Sequence, residues 1–152
     1  MRGFKGNIKK ACLDNKNFRK VIYTGSHLQV VIMSLRPGED IEEEILPDND
    51  QFFRFEKGIG KCIINDTEME IKEGDVIVVP AGTKRNIRNV DLKNDLKLYS
   101  IYSPPFFRDG IIRETKEDAI KNPAPYDGIT SDYCIPKTLL PGNLEKDYSR
   151  QL

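Results

Sequence analysis

The sequence predicts a single all-β domain, a sandwich or barrel, and two observations carry that expectation. Eight short strand-like runs recur between residues 19 and 103, and turn residues punctuate them at even intervals. Many short strands separated in this way close into a sandwich or barrel, in which each strand buries one face.

In chain order the runs are RKVIYT, LQVVIMSL, QFFRFE, GKCIIN, EMEI, VIVVP, RNIRNV and LKLYSIYS. Asn65, Asp66 and Thr67 separate the fourth from the fifth in the manner of a hairpin turn, and Glu73-Gly74-Asp75 breaks the chain before the sixth. Beyond the last run, SPPFFRDG leads into RETKEDAI, a charged stretch that fits about two helical turns before Pro123 stops it. Side chains alternate between faces along a strand. If Gln51 faces inward, so do Phe53 and Phe55; if Arg85 does, so do Ile87 and Asn89.

At 152 residues the chain has the length of one domain, ~100 to 200 residues, enough to bury a proper core. Its 24 basic and 24 acidic residues cancel and form no basic stripe, which removes the electrostatic case for nucleic acid or a charged membrane surface. No apolar run approaches the ~18 residues that span a bilayer, and MRGFKGNIKKACLDNKNFRK lacks the apolar centre of a signal peptide. A cytoplasmic protein is expected. Cys12, Cys62 and Cys134 are odd in number and far apart, which suggests neither a zinc cluster nor a disulfide framework.

Two glycine-punctuated blocks carry the chemistry. The first reads Gly38, five residues, Glu44-Ile45-Leu46, four residues, Gln51, six residues, Gly58. The second reads Gly74, five residues, Pro80-Ala81-Gly82, two residues, Arg85, three residues, Asn89, and fifteen residues separate the blocks. With the phrases MSLRPGEDIEEE, PDNDQFFRFEKGIGK, GDVIVVPAGT and LKLYSIYSPP, they resemble the two motifs of the cupin superfamily. The similarity is to small single-domain, type-2 cupins of a group related to mannose-6-phosphate isomerase. It covers roughly residues 18 to 120. It implies a double-stranded β-helix, the cupin jelly-roll barrel, over 18–120, with an N-terminal arm over 1–17, a short helix, and an irregular proline-containing C-terminal tail over 121–152.

Cupins of this group are expected to show Glu, His, Gln and His at the metal-ligand positions. This chain conforms at Glu44 and Gln51 and departs at Leu46 and Arg85. It also has Phe107 and Arg113 where the group tends to carry further histidines, and its single histidine, His27, falls outside both blocks. A cupin metal such as iron, manganese, nickel or zinc needs imidazoles and a carboxylate converging on one point. Leu46 offers no lone pair and Arg85 is a permanent cation, so neither a metal nor another cofactor is expected. Arg85 is expected to fill the ion's place, paired with Glu44 and hydrogen-bonded to the Gln51 amide.

The resulting expectation is a metal-free cupin, non-catalytic or weakly catalytic, that binds a small polar or anionic metabolite in the barrel. Glu44, Leu46, Gln51, Phe53, Arg85 and Tyr102 are its candidate ligand-binding residues, the guanidinium matching a carboxylate or phosphate and the aromatics forming an apolar wall. A scaffold is the alternative, homodimeric through sheet edges and docking a protein partner on the tail through Tyr126, Tyr133, Leu139 and Leu140. A second alternative is a sugar isomerase, an epimerase or a metal-dependent cupin enzyme. Metal-free epimerases of this fold pair a histidine base with a tyrosine acid; Tyr99 and Tyr102 could donate, but no histidine is expected in the lumen. A filled lumen favours the scaffold, and a cavity of ~300 Å³ or more favours a ligand.

Overall fold

The computed structural model describes residues 3–132. Helix α1 (Ile8–Asp14) precedes β1 (Arg19–Thr24), β2 (Gln29–Leu35), β3 (Glu44–Ile45), β4 (Asp50–Lys57), β5 (Ile59–Ile64) and β6 (Thr67–Lys72). There follow β7 (Val76–Val79), β8 (Lys84–Asn89), β9 (Leu96–Ser103), β10 (Ile112–Arg113) and helix α2 (Lys116–Lys121). All eight strand-like runs are strands. The short β3 and β10 and the helix α1, which lies within the expected N-terminal arm, are additional.

The strands form a six-stranded sheet in the order β10-β1-β2-β9-β4-β7 and a four-stranded sheet in the order β3-β8-β5-β6, every pair antiparallel. Their inner faces share one apolar core, giving the double-stranded β-helix. The alternation expected along β4 and β8 holds, with Gln51, Phe53 and Phe55, and Arg85, Ile87 and Asn89, all buried. Each fully buried Phe, Leu or Ile contributes about 1.5–3 kcal/mol over an exposed one.

Local chemistry fixes the connections. Asn65 and Asp66 both have positive φ, 44° and 66°, in the two-residue loop joining β5 to β6, the backbone of a type I′ hairpin. Gly58 has φ +98°, and a Cβ there would lie 2.9 Å from the Asp95 carbonyl oxygen, so the first block must close on glycine. Side chains alternate along β1, so Val21 and Ile22 bury on opposite faces, and the register shift between Val21 and Tyr23 returns Thr24 to the inner row opposite Gln29. Val21 enters the barrel, and Ile22 joins Cys12 of α1 and Ile32 on the outside of the six-stranded sheet. Burial pushes the Cys12 thiol up to about 12 and the Cys62 thiol up to about 11, so neither is a nucleophile near neutral pH.

The described part of the C-terminal tail returns to the barrel. The Arg108 N–H donates to the Ala124 carbonyl at 2.8 Å, the Tyr126 N–H to the Phe106 carbonyl at 3.0 Å, and the Ser131 N–H to the Thr24 carbonyl at 2.8 Å. Tyr133, Cys134, Leu139 and Leu140 lie outside the described residues. Among the described residues no helix is long and apolar enough to cross a membrane.

Candidate functional site

Arg85 is the centre of the site. Glu44 on β3 and Arg85 on β8 are direct antiparallel partners, and such partners project from the same face of a sheet. The guanidinium reaches from the four-stranded sheet across to the six-stranded one. Its Nε donates to Gln51 Oε1 at 3.0 Å, its Nη1 to the Glu42 carbonyl at 3.1 Å and its Nη2 to Glu44 Oε2 at 3.0 Å. Glu42 adopts φ 71° in the segment that offers this carbonyl, a left-handed conformation unusual for a residue with a side chain.

Gln51 belongs to an inward-facing row that crosses the six-stranded sheet. Thr24, Gln29, Tyr102, Gln51 and Val79 are successive cross-strand partners, each at most 2% exposed. Within this row Gln29 holds the segment after β9. Its Nε2 donates to the Phe107 carbonyl at 2.7 Å, and its Oε1 accepts from the Phe107 N–H at 2.9 Å. Tyr102 stacks on Phe106 with centroids 5.8 Å apart and meets Phe107 edge-on at 5.2 Å.

Beside this cluster lies a cavity of about 360 Å³, between β1 with β10 and the β3 segment. Phe18, Ile41, Phe106, Phe107, Ile111 and Ala119 supply an apolar lining, the 122–125 segment adds a further wall, and Arg19, Glu42, Glu44, Arg113 and Lys116 supply charge. Of the six residues expected to bind a ligand, only Glu44 lines it. Leu46, Phe53 and Tyr102 are core, at 3%, 0% and 2% exposed, and Gln51 is turned to Arg85. Arg85 itself is 2% exposed and engages protein acceptors through all three nitrogens, so its fork is not presented to the cavity. Phe107 and Arg113, singled out only because histidines were expected there, both line it. Arg19 was missed, because it lies before the first block.

The other candidates for chemistry lie elsewhere. Tyr99 packs on the outer face against the Cys12 cluster, and His27 is exposed between β1 and β2. Lys116 on α2 is committed to Asp40. Burial raises the Asp40 carboxyl, but hydrogen bonds from Asn86 and Lys116 and the nearby charges of Lys116 and Arg88 outweigh this and leave it below its ordinary value. Stability from Asp40 is therefore present above the ordinary carboxylate range and lost as pH falls through it.

A divalent metal does not fit these residues at the position the cupin motifs define. The guanidinium of Arg85 fills the space between Glu44 and Gln51 with a fixed positive charge, and Leu46 brings only methyl groups. Among the described residues no three His, Cys, Asp or Glu side chains converge.

The chain matches the family model described as a cupin domain over residues 31–102. It is 43% identical over 120 residues to the uncharacterized protein YrkC of Bacillus subtilis (strain 168), covering 75% of this chain and 64% of that protein. It is 48% identical over 101 residues to the uncharacterized protein L612 of Acanthamoeba polyphaga mimivirus, covering 64% of this chain and 63% of that one. The alignments thus span just under two thirds of the length of both curated relatives. The crystal structure of BH2720 from Bacillus halodurans superposes with a TM-score of 0.77 at 41% identity, covering 80% of this chain and 96% of the other. Strand order, both glycine blocks and these matches agree: the chain belongs to the cupin superfamily.

Proposed function

We propose that this protein is a metal-free cupin that binds a small polar or anionic molecule in the cavity between β1 and β3 and does not transform it. The observation that carries the reading is the cavity, about 360 Å³ with a mainly apolar lining and a few charged groups, within the ~300–1,000 Å³ of small-molecule sites. A salt bridge stands where the relatives of this fold are expected to hold an ion, so the metal-assisted routes to isomerase or dioxygenase chemistry have no support here. Glu44, one of the two acids of the cavity wall, is tied to Arg85, and the histidine that epimerase chemistry of this fold would need, His27, lies outside the cavity.

Native mass spectrometry on protein purified without added metal tests this. The expected spectrum contains the polypeptide without a divalent ion, and dialysis against a chelator leaves the melting temperature unchanged. A divalent-ion adduct whose removal lowers the melting temperature would overturn the metal-free reading.

The second reading, a scaffold, is favoured by one feature of the outer face. Val30, Ile101, Phe52 and Val78 are successive cross-strand partners there, and Val78 on the edge strand β7 is 61% exposed. An apolar row reaching an unpaired edge suits association of two copies. Val78→Asp is expected to shift a dimer toward monomer in sedimentation velocity. A wild-type protein that sediments as a monomer at every concentration would remove this support.

A further inference from the structure

The cavity holds a cation that no carboxylate among the described residues pairs with. Arg19 lies at the start of β1, opposite Met33 of β2, whose side chain is in the barrel core. Its guanidinium carbon sits 4.3 Å from the centroid of the Phe107 ring and 5.4 Å from that of Phe18. Its Nε is sealed from solvent with no hydrogen-bond partner, and no carboxylate among the described residues forms an ion pair with it. The other two cations of the cavity are engaged. Arg113 donates through Nε and Nη2 to the Asn122 carbonyl at 3.0 and 2.8 Å, and Lys116 is paired with Asp40.

A desolvated guanidinium with an unused donor is costly, and native proteins normally satisfy such groups. Burial draws the pKa of Arg19 below its ordinary value, with Tyr102 and Glu44 opposing and Arg85 and Arg113 adding to the shift. Two aromatic faces offset part of this cost, and they leave the in-plane N–H donors for a different acceptor. Glu44 in the cavity wall does not supply it. Glu44 has its carboxylate bonded to Arg85, whose charge neutralises it.

We propose that Arg19, not Arg85, anchors the ligand, and that the ligand carries a single carboxylate or phosphate group on an apolar body packed against Phe106, Phe107 and Ile111. Glu42 in the same wall offsets part of the positive charge of Arg19 and Arg113, which selects a ligand with one anionic group over one with several. Arg85 holds the wall in place from behind and makes no contact with the ligand. This assignment rests on the reading of the cavity as a ligand site.

The test compares phenylacetate with its neutral isostere phenylacetamide on the full chain, by calorimetry and by isoleucine-methyl NMR of Ile41, Ile111 and Ile120, which all line the cavity. The acid is expected to bind at least ~10-fold more tightly than the amide, the scale of one charge-assisted hydrogen bond. In Arg19→Met that preference is expected to vanish while the amide still shifts the same methyl signals, which reports an intact cavity. Should that variant not fold, Arg19→Gln serves the same comparison. Equal binding of both probes to the wild type, or a preference that survives in the variant, overturns the role of Arg19 and leaves the cavity reading standing. If neither probe moves the three methyl signals, both readings fall.

Discussion

Phe53→Ala is expected to destabilise the protein by about 3–5 kcal/mol, the usual cost of deleting a fully buried phenylalanine side chain. Phe53 is 0% exposed at the middle of β4, between Ser100 of β9 and Ile77 of β7 in register. The Arg85 guanidinium lies over its ring at 5.9 Å. Truncation would therefore open a void beneath the ion pair and remove the surface on which Arg85 rests. Against a total stability of about 5–15 kcal/mol, that is a large fraction. Urea unfolding should show a lower midpoint with an unchanged slope, the signature of lost stability without a change in surface exposed. The sequence-based alternative, in which Phe53 is a wall of the ligand pocket, makes a different forecast: a modest loss of stability with a large loss of probe binding. Folded Phe53→Ala protein that binds phenylacetamide like the wild type decides for the core.

Arg85 and Glu44 were recognisable from sequence, but the cavity was not, and the reason is geometric. The resemblance of the two glycine blocks to the cupin motifs singled out Glu44, Leu46, Gln51 and Arg85, and period-two alternation carried Phe53 and Phe55 with Gln51, and Ile87 and Asn89 with Arg85. The alternation needs only local backbone regularity. The cavity is built by segments far apart in the chain, from Arg19 on β1 to Pro125 beyond α2. Its location depends on how the 122–125 segment returns to Phe106 and Phe107, through backbone bonds that no composition signal encodes. Arg19 stands in an evident strand, RKVIYT, yet a lone arginine at a strand end reads as a solvated charge until its partners are known. Phe107 and Arg113 left a fainter trace, as absences of expected histidines. The two-residue strands β3 and β10 are too short for any periodicity, and α1 is held by the Cys12 contact with Ile22 and Ile32 more than by its own propensity.

The Arg85–Glu44 pair is expected to be strongly non-additive, with each single change costing more than its share of the double. Glu44→Gln keeps the shape but removes the counter-charge from a guanidinium that is 2% exposed. A fully buried pair broken in this way loses ~3–5 kcal/mol. Here the loss should be about 2 kcal/mol, below that range, because the Glu44 side chain is 42% exposed and Arg85 keeps Gln51 and the Glu42 carbonyl as acceptors. Arg85→Met relieves the buried charge but strands the Gln51 amide oxygen and the Glu42 carbonyl, at about 1–3 kcal/mol for a buried unsatisfied acceptor. In the double variant no cation is left to lack a partner, so Glu44→Gln adds little to the effect of Arg85→Met. A coupling energy of about 1–2 kcal/mol in the double-mutant cycle is therefore expected from urea unfolding of the four proteins. Additive losses would mean that the 3.0 Å contact carries no energy of its own and that Arg85 is held by Gln51 and the backbone alone. The asymmetry between the singles adds a second criterion, since Glu44 can return to water and Arg85 cannot. Replacing the acid should disturb the core, and replacing the base should leave the acid solvated at the cavity wall, where it would newly repel the anion bound at Arg19. Weakened phenylacetate binding in Arg85→Met, with phenylacetamide binding unchanged, would tie the two guanidiniums into one electrostatic arrangement.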